Sequence, residues 1–506
     1  MDIIGKSHVG FSRLGGGSKK FKTFNPQTNS DNPWEFIEAS KEETSRAVEM
    51  AWQAFKVYRN IAGVKRADFL NAIADEIEKI DNLVDTYCLE SGLPEGRAKG
   101  EMGRTIFQLR SFANLLQNDA WKRISIDEAQ PERTPIPKSD LRQSLLPLGP
   151  VAVFGASNFP LAYSTAGGDT ASALASGCPV VVKSHPMHAG TGELIADAVV
   201  RAAKATGMPE GVFSNLNSSG IDVGTWLVQH PNIKAVGFTG SIRGGRALFD
   251  LAAQRDEPIP VFAEMGSINP VILSASALGK NAMKWADTYA KSITLGTGQF
   301  CTNPGLIIAV DSPSLDLFAK ELAEQILTID PMCMLHPNIK NAYSDHKSAV
   351  TSQEGVSVLS SISEVQTNYA DQAVAKVNGE VFLTNTKLHQ EVFGPFSLLV
   401  ACENEAQLIE VIEKLEGQLT GTIITEEDSL EEVKPILEAL QHRVGRVIFN
   451  GVPTGVEVCP SMNHGGPYPA STDSRFTAVG TNSIYRWLRL VSYQDFPQEL
   501  LPNELK

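Results

Sequence analysis

Residues 150–183 read PVAVFGASNFPLAYSTAGGDTASALASGCPVVVK. Two short apolar runs rich in valine, VAVFG and PVVVK, bracket a stretch of small residues, TAGGDTASALASG. Runs of that length bounded by glycine and proline read as strands, and the segment between them reads as a crossover helix. The unit recurs downstream. GVFSNL, KAVGF and PVFAEM are strand-like, AGTGELIADAVVRAAKATG is helical, and gaps of roughly 15–30 residues leave room for crossovers. Repeated strand–helix–strand alternation predicts a parallel sheet covered on both faces, a doubly wound α/β fold.

On the N-terminal side, the chain from Ser40 to about Asn118 is mostly helical by its three- and four-residue apolar spacing. KEETSRAVEMAWQAFKVYRN, ADFLNAIADEIEKIDNLVDTYCL and GRAKGEMGRTIFQLRSFANLL each carry that pattern. Trp121–Asp140, with Pro131, Pro135 and Pro137, reads as a linker or an exposed extended arm. On the C-terminal side a second alternating region runs from about Asn269 to Asn450, enough for another α/β domain. The stretch SIYRWLRLVSYQ reads as a helix end followed by an edge strand. The sequence shows no internal repeat and no low-complexity tract.

The 506 residues predict two to four domains. With 42% hydrophobic and 20% charged residues the chain is ordinary globular protein, and its net charge of −14 argues against general affinity for nucleic acid or anionic membranes. No apolar run approaches the roughly 18–20 residues that span a bilayer, and MDIIGKSHVG lacks the apolar core of a signal peptide. Six cysteines, none in a CxxC pair, suit neither a disulfide scaffold nor a thiolate zinc site. The expectation is a reducing, cytoplasmic setting and no metal.

Several short blocks carry candidate chemistry. GFTGSIRGG at 237–245 runs from a strand into a glycine-rich turn and a helix, without the GxGxxG fingerprint. Gly240, Gly244 and Gly245 would let backbone approach a bulky anion at a helix N-terminus, although plain turn chemistry also uses such glycines. Lys183 ends the strand in VVVKSHP, where a ribose or phosphate could sit. Cys301 lies in GTGQFCTNPG, between glycines and a proline, hence in an irregular loop of the kind that carries catalysis. The other five cysteines read as buried hydrophobes or lack polar company. Glu264 ends a strand in FAEMGSINP and could act as a general base. Asn158 in FGASNFP could donate its amide to an oxyanion, and Glu391 in EVFGP occupies a further turn. A solvated glutamate and a self-capping asparagine are the plain alternatives.

These blocks, FGASNFP, VVVKSHP, GFTGS, FAEMGSINP, GQFCTNPG and EVFGP, resemble the aldehyde dehydrogenase superfamily in order and spacing over nearly the whole chain. The long block at 149–181, the SINP ending and TGVEVCPSMNHGGPYPAST are similar to one branch. It contains α-ketoglutaric semialdehyde (2,5-dioxopentanoate) dehydrogenases and a bacterial NADP-dependent fatty aldehyde dehydrogenase. The resemblance implies a Rossmann-type cofactor domain (1–125 and 147–262), an α/β catalytic domain (263–475) and a small β oligomerisation flap (126–146 and 476–506). It also implies a homodimer or homotetramer.

The resemblance assigns roles. Cys301 is the nucleophile, its backbone N–H and the Asn158 side chain hold the oxyanion, and Glu264 activates water. Lys183 meets the adenosine ribose, Gly240, Ser241 and Gly245 form the pyrophosphate turn, Glu391 meets the nicotinamide ribose, and Phe393 lines the nicotinamide pocket. Arg104 is placed in the substrate tunnel as a carboxylate anchor, with a surface arginine as the alternative. Phe159 and Tyr163 shape the tunnel wall. His464 is a proton relay or tunnel wall, or else a turn histidine bonded to backbone. Two departures stand out: Glu264-Met265-Gly266-Ser267 lacks the usual second glycine, and Pro186 stands where many NAD-dependent members have a ribose-binding glutamate. Loss of that anion points to NADP, with NAD possible. The implied reaction takes a small aldehyde, 2,5-dioxopentanoate, to 2-oxoglutarate. The alternative is oxidation of medium- or long-chain aliphatic aldehydes. A CoA-acylating relative usually lacks the Glu264 base, and a scaffold protein would not need Cys301, Glu264 and Asn158 together.

Overall fold

The computed structural model describes residues 2–118, 120–362 and 365–506. Met1 and Asp119 of the expected cofactor domain, and Ser363 and Glu364 of the expected catalytic domain, lie outside the described residues. The chain opens with β1 (Ser7–Val9), β2 (Ser12–Leu14), β3 (Lys20–Asn25) and β4 (Ser30–Ile37). Helices α1 (Lys41–Tyr58), α2 (Gly63–Glu78), α3 (Leu83–Ser91) and α4 (Glu95–Leu115) follow. Ser40 and Glu43 start α1 as a reciprocal capping box. The single helix expected over 67–89 divides into α2 and α3, because Asp81 and Asn82 favour caps and turns over a helix interior.

Next come β5 (Ser125–Asp127), β6 (Leu141–Pro147), β7 (Val151–Phe154), α5 (Gly168–Ser176), β8 (Val180–Lys183), α6 (Ala189–Ala205) and β9 (Phe213–Leu216). The first sheet ends with α7 (Asp222–Gln229), β10 (Ala235–Thr239), α8 (Ile242–Ala253) and β11 (Val261–Glu264). Its order is β11-β10-β7-β8-β9-β1-β2, parallel from β11 to β9. Alternate residues of the central strands enter different cores. Val151, Val153, Val180 and Val182 pack with α5 and α6. Ala152, Phe154, Val181 and Val236 pack with α1 and α7 on the other face. Being covered on both faces explains why these strands read as unbroken apolar runs.

The antiparallel edge β1-β2 was not legible, since three-residue strands carrying Ser, His and Arg show no period. It is held instead by the buried Glu193 carboxylate, which accepts from the Ile4 N–H (2.8 Å), the Gly5 N–H (3.0 Å) and Arg13 (2.7 Å).

Five residues, Met265–Asn269, carry the chain from β11 into β12 (Pro270–Leu273) of a second sheet. That sheet adds α9 (Ala275–Thr294), β13 (Leu306–Val310), α10 (Pro313–Leu327), α11 (Pro337–Thr351), β14 (Ser357–Ser361) and β15 (Ala373–Asn378). It continues with α12 (Gly379–Thr384), β16 (Phe396–Cys402), α13 (Glu405–Lys414), β17 (Gln418–Ile424), α14 (Lys434–Gln441) and β18 (Val444–Phe449). Its order is β14-β15-β16-β13-β12-β17-β18, parallel except for β14. The segment read as a linker or arm supplies β5 and leads into β6. These pair with β19 (Leu488–Gln494) in a three-stranded sheet, β19-β6-β5. Among the described residues no helix is long and apolar enough to cross a membrane.

Candidate active site

Cys301 is delivered by an unusual turn. After α9 ends at Thr294, three successive residues, Gly296, Thr297 and Gly298, have φ of 54°, 62° and 63°. Glycine tolerates that left-handed region, and Thr297, which does not, is tied by its hydroxyl to the Cys333 carbonyl at 3.3 Å. A Cβ at Gly298 would collide with the Gly394 carbonyl, so the loop must pass there as bare backbone. Asn269, itself at φ 49°, clamps the far side. Its amide donates to the Cys301 and Asn303 carbonyls, both at 2.9 Å, and its Oδ1 accepts from Ser267 (2.9 Å) and Thr420 (3.0 Å).

Asn158 follows β7 in a loop fixed from α4. The Glu101 carboxylate accepts from the Leu161 and Ala162 N–H groups (2.8 and 3.0 Å) and from the Tyr87 hydroxyl (2.6 Å). The Asn158 amide donates to the Gln299 carbonyl at 3.0 Å, leaving its second hydrogen for another acceptor. Glu264, at the end of β11, is 3% exposed. His464 is bonded through its backbone to Thr477 and Ala478, as a turn histidine would be, yet its ring enters the site. Its Nε2 lies 3.5 Å from Cys301 Sγ and 2.8 Å from Glu264 Oε1. That second contact is off the line of a hydrogen bond, and among the described residues neither Glu264 oxygen has a well-aligned partner.

Burial pushes the Cys301 thiol well above its ordinary range, and the neighbouring Glu264 and Glu391 carboxylates push the same way, against Arg104. A thiol so raised would need a base to take its proton before it could act as a nucleophile. Burial also lifts Glu391 to about 7, opposed by the Ser267 N–H.

Two clefts reach this sulfur. One, of about 320 Å³, is lined among others by Asn158, Gly240, Ser241, Glu264, Glu391 and Phe393. Ser241 caps α8 by accepting from the Gly244 N–H at 3.2 Å, so a helix N-terminus opens here. A dinucleotide fits this set: the helix end suits a pyrophosphate, the Glu391 carboxylate suits ribose hydroxyls, and Phe393 is a flat wall. A Cβ at Gly266 would sit 2.5 Å from Glu391 Oε2, which gives that glycine its reason. The expected cofactor residues Lys183 and Gly245 do not line this cleft. Lys183 ends β8, where burial brings it down to about 8 against the charge of Glu38. A Cβ at Gly245 would meet Met265 Sδ at 2.6 Å, and those at Gly240 and Gly244 would meet the Phe238 ring, so all three glycines also serve helix–strand packing.

The other cleft, about 270 Å³, is lined among others by Arg97, Arg104, Phe159, Tyr163, Phe300 and Cys301. Arg104 is half-buried and borders this cleft. Its guanidinium donates to the Val456 carbonyl and to Tyr163 Oη (3.3 Å). Arg97, which sequence reasoning missed, lies 4.4 and 4.6 Å from the ring centres of Phe159 and Phe300. Its spacing from Arg104 on one helix could have flagged it. Glu101 and Asn269 were also missed, since nothing local marks a buried carboxylate or an asparagine before proline as a clamp.

The chain is similar to known proteins over nearly its whole length. The chain matches the aldehyde dehydrogenase family over residues 14–474. It is 46% identical over 510 residues to alpha-ketoglutaric semialdehyde dehydrogenase 2 of Azospirillum brasilense, covering 100% of this chain and 97% of that one. It is 45% identical over 511 residues to alpha-ketoglutaric semialdehyde dehydrogenase of Acinetobacter baylyi, covering 99% and 96%. In fold it is similar to betaine aldehyde dehydrogenase of Staphylococcus aureus, with a TM-score of 0.84, 19% identity, and 98% and 99% of the two chains covered. A cysteine presented at the meeting of two clefts, with a match of this extent, makes the chain a member of the aldehyde dehydrogenase family.

Proposed function

We propose that this dehydrogenase oxidises α-ketoglutaric semialdehyde (2,5-dioxopentanoate) to 2-oxoglutarate, with NADP preferred over NAD. The observation that carries the reading is the pair of arginines, Arg97 and Arg104, in the tunnel that ends at Cys301. A carboxylate at the far end of a short aldehyde calls for such a guanidinium. The two relatives of nearly full length support the same substrate.

Cys301 attacks the carbonyl carbon as its proton leaves toward Glu264 or His464, giving a thiohemiacetal. The free Asn158 amide hydrogen and the Cys301 backbone N–H hold the oxyanion. A dinucleotide held in the cleft beside Glu391 and Phe393 would supply the hydride acceptor needed to oxidise the Cys301 adduct to a thioester. Glu264, buried beside His464, takes a proton from a water as that water attacks the thioester, freeing Cys301 and a carboxylate. Ser241 and Gly240 would hold the pyrophosphate, Glu391 and Phe393 the nicotinamide end, and Lys183 the adenosine end. Pro186 places no anion against a 2′-phosphate. We further propose the domain limits expected from the sequence, and a homodimer or homotetramer formed through the β19-β6-β5 sheet.

An aldehyde panel assayed with both cofactors tests the reading. The expected kcat/KM for 2,5-dioxopentanoate exceeds that for a neutral aldehyde of equal length by about tenfold or more. The rings of Phe159, Tyr163 and Phe300 favour a second reading, aliphatic aldehydes, and values rising with chain length would select it. A preference for NAD of about tenfold would reject the cofactor assignment. Arg104→Ala is expected to raise KM for the charged substrate only, and no change for either substrate removes Arg104 as the anchor.

A further inference from the structure

Glu264, Cys301 and His464 each offer one donor atom, and the three atoms lie within 4.8 Å of one another. We propose that they form a binding site for a thiophilic divalent cation of the Zn²⁺ class, and that its occupancy reversibly locks the enzyme.

The argument is geometric. Glu264 is 3% exposed and His464 1%, and among the described residues neither Glu264 oxygen has a well-aligned hydrogen-bond partner. His464 Nε2 bonds Cys301 Sγ at 3.5 Å and lies 2.8 Å from Glu264 Oε1, so the three donor atoms meet in one small space. Around a tetrahedral zinc ion with bonds near 2.3 Å to sulfur and 2.0 Å to nitrogen, sulfur and nitrogen stand roughly 3.5 Å apart. Here that distance is 3.5 Å. The His464–Glu264 distance of 2.8 Å must open by roughly 0.5 Å, within reach of side-chain rotation. Thiolate, imidazole and carboxylate together suit zinc over calcium or magnesium. Cys301 borders both clefts, so an ion has an entry path and water can complete the coordination.

Binding exchanges the Cys301 S–H bond for an S–metal bond and releases one proton to solvent, with no change in oxidation state. The sulfur lone pair then cannot attack an aldehyde, and the carboxylate cannot activate water. The inference rests on the placement of the donors and not on which aldehyde is the substrate.

The test is metal binding by the purified full chain, stripped with a chelator and titrated with Zn²⁺, with Co²⁺ as a spectroscopic substitute. One ion per chain is expected, with a thiolate-to-cobalt charge-transfer band that Cys301→Ser abolishes. Affinity should fall by about tenfold or more in His464→Phe and in Glu264→Gln, each checked for a cooperative melt, and stay unchanged in Cys459→Ser. Zn²⁺ should slow alkylation of Cys301 by iodoacetamide in the parent chain far more than in His464→Phe, and a chelator should restore full activity. Equal affinity in all variants, equal protection with and without His464, or no binding overturns the proposal. Zinc binding without the proposed substrate specificity would leave it standing and count only against the function assigned above.

Discussion

The two seven-stranded sheets present opposite ends to the reacting centre. The first offers the carboxyl ends of its parallel strands: Asn158 follows β7, Ser241 follows β10, and Glu264 closes β11. The second offers the amino ends, with Cys301 ahead of β13 and Glu391 ahead of β16. The first arrangement obeys the general rule for open α/β sheets, in which ligands sit beyond the carboxyl ends of the strands. The second does not, and its loops are held by specific bonds rather than by strand geometry. Both sheets offer groups that would touch the reacting atoms, but the loops are held differently: Glu101 of α4 grips the Asn158 loop from outside the first sheet, whereas Asn269 and the Gly296–Gly298 turn shape the Cys301 loop.

Removing the reacting groups breaks this comparison most severely. Cys301→Ala, from the second sheet, is expected to lower kcat by about 10³-fold or more with an unchanged melting temperature. Asn158→Ala, from the first, should cost about 10²–10³ in kcat with KM little changed, because its free hydrogen meets the oxyanion only as charge develops. If Asn158→Ala raised KM alone, the amide would be a ground-state contact.

The clamps sharpen the contrast. Asn269→Ala removes the donor to the part-buried Cys301 carbonyl and leaves Asn303 only the Gly305 N–H, and it should destabilise the fold by about 1–2 kcal/mol, read by denaturant unfolding, while lowering kcat. Glu101→Gln keeps the shape but weakens its hold on the Asn158 loop. A loss of about fivefold in kcat/KM is expected, corresponding to roughly 1 kcal/mol. A null result for Asn269 would mean that the Cys301 loop holds itself.

The smallest effect concerns pH. Lys183 is lowered to about 8, so it is charged below that pH and neutral above it. A 2′-phosphate needs the charged form. The ratio of kcat/KM for NADP over NAD should fall by about threefold between roughly pH 7.5 and 8.5. A ratio flat across that range would remove Lys183 from phosphate recognition.

Legibility followed the same division. The strands of the first sheet were readable because burial on both faces makes them continuous apolar runs, and the residues at their ends could be named from those runs. Cys301, Glu391 and Arg104 were reached through whole blocks of sequence, not periodicity. The edge strands β1 and β2 were invisible, being short and polar, and Glu193 that holds them lies far along the chain. Arg97 and Glu101 were missed because a charge on a helix reads as solvated until the packing partners Phe159 and Phe300, or the Leu161 and Ala162 amides, are known.

By itself the sequence determined the doubly wound architecture, the loop cysteine proposed as nucleophile and the family resemblance, because local apolar runs and short motifs survive without knowledge of distant contacts. Only the tertiary structure decided that His464 meets Cys301 across 163 residues of chain, that Asn269 grips the nucleophile's carbonyl, and that three donors converge where no spacing hinted at a metal. The physical reason is that directed bonds between distant segments depend on how the sheets pack, and packing leaves no periodic trace in the chain.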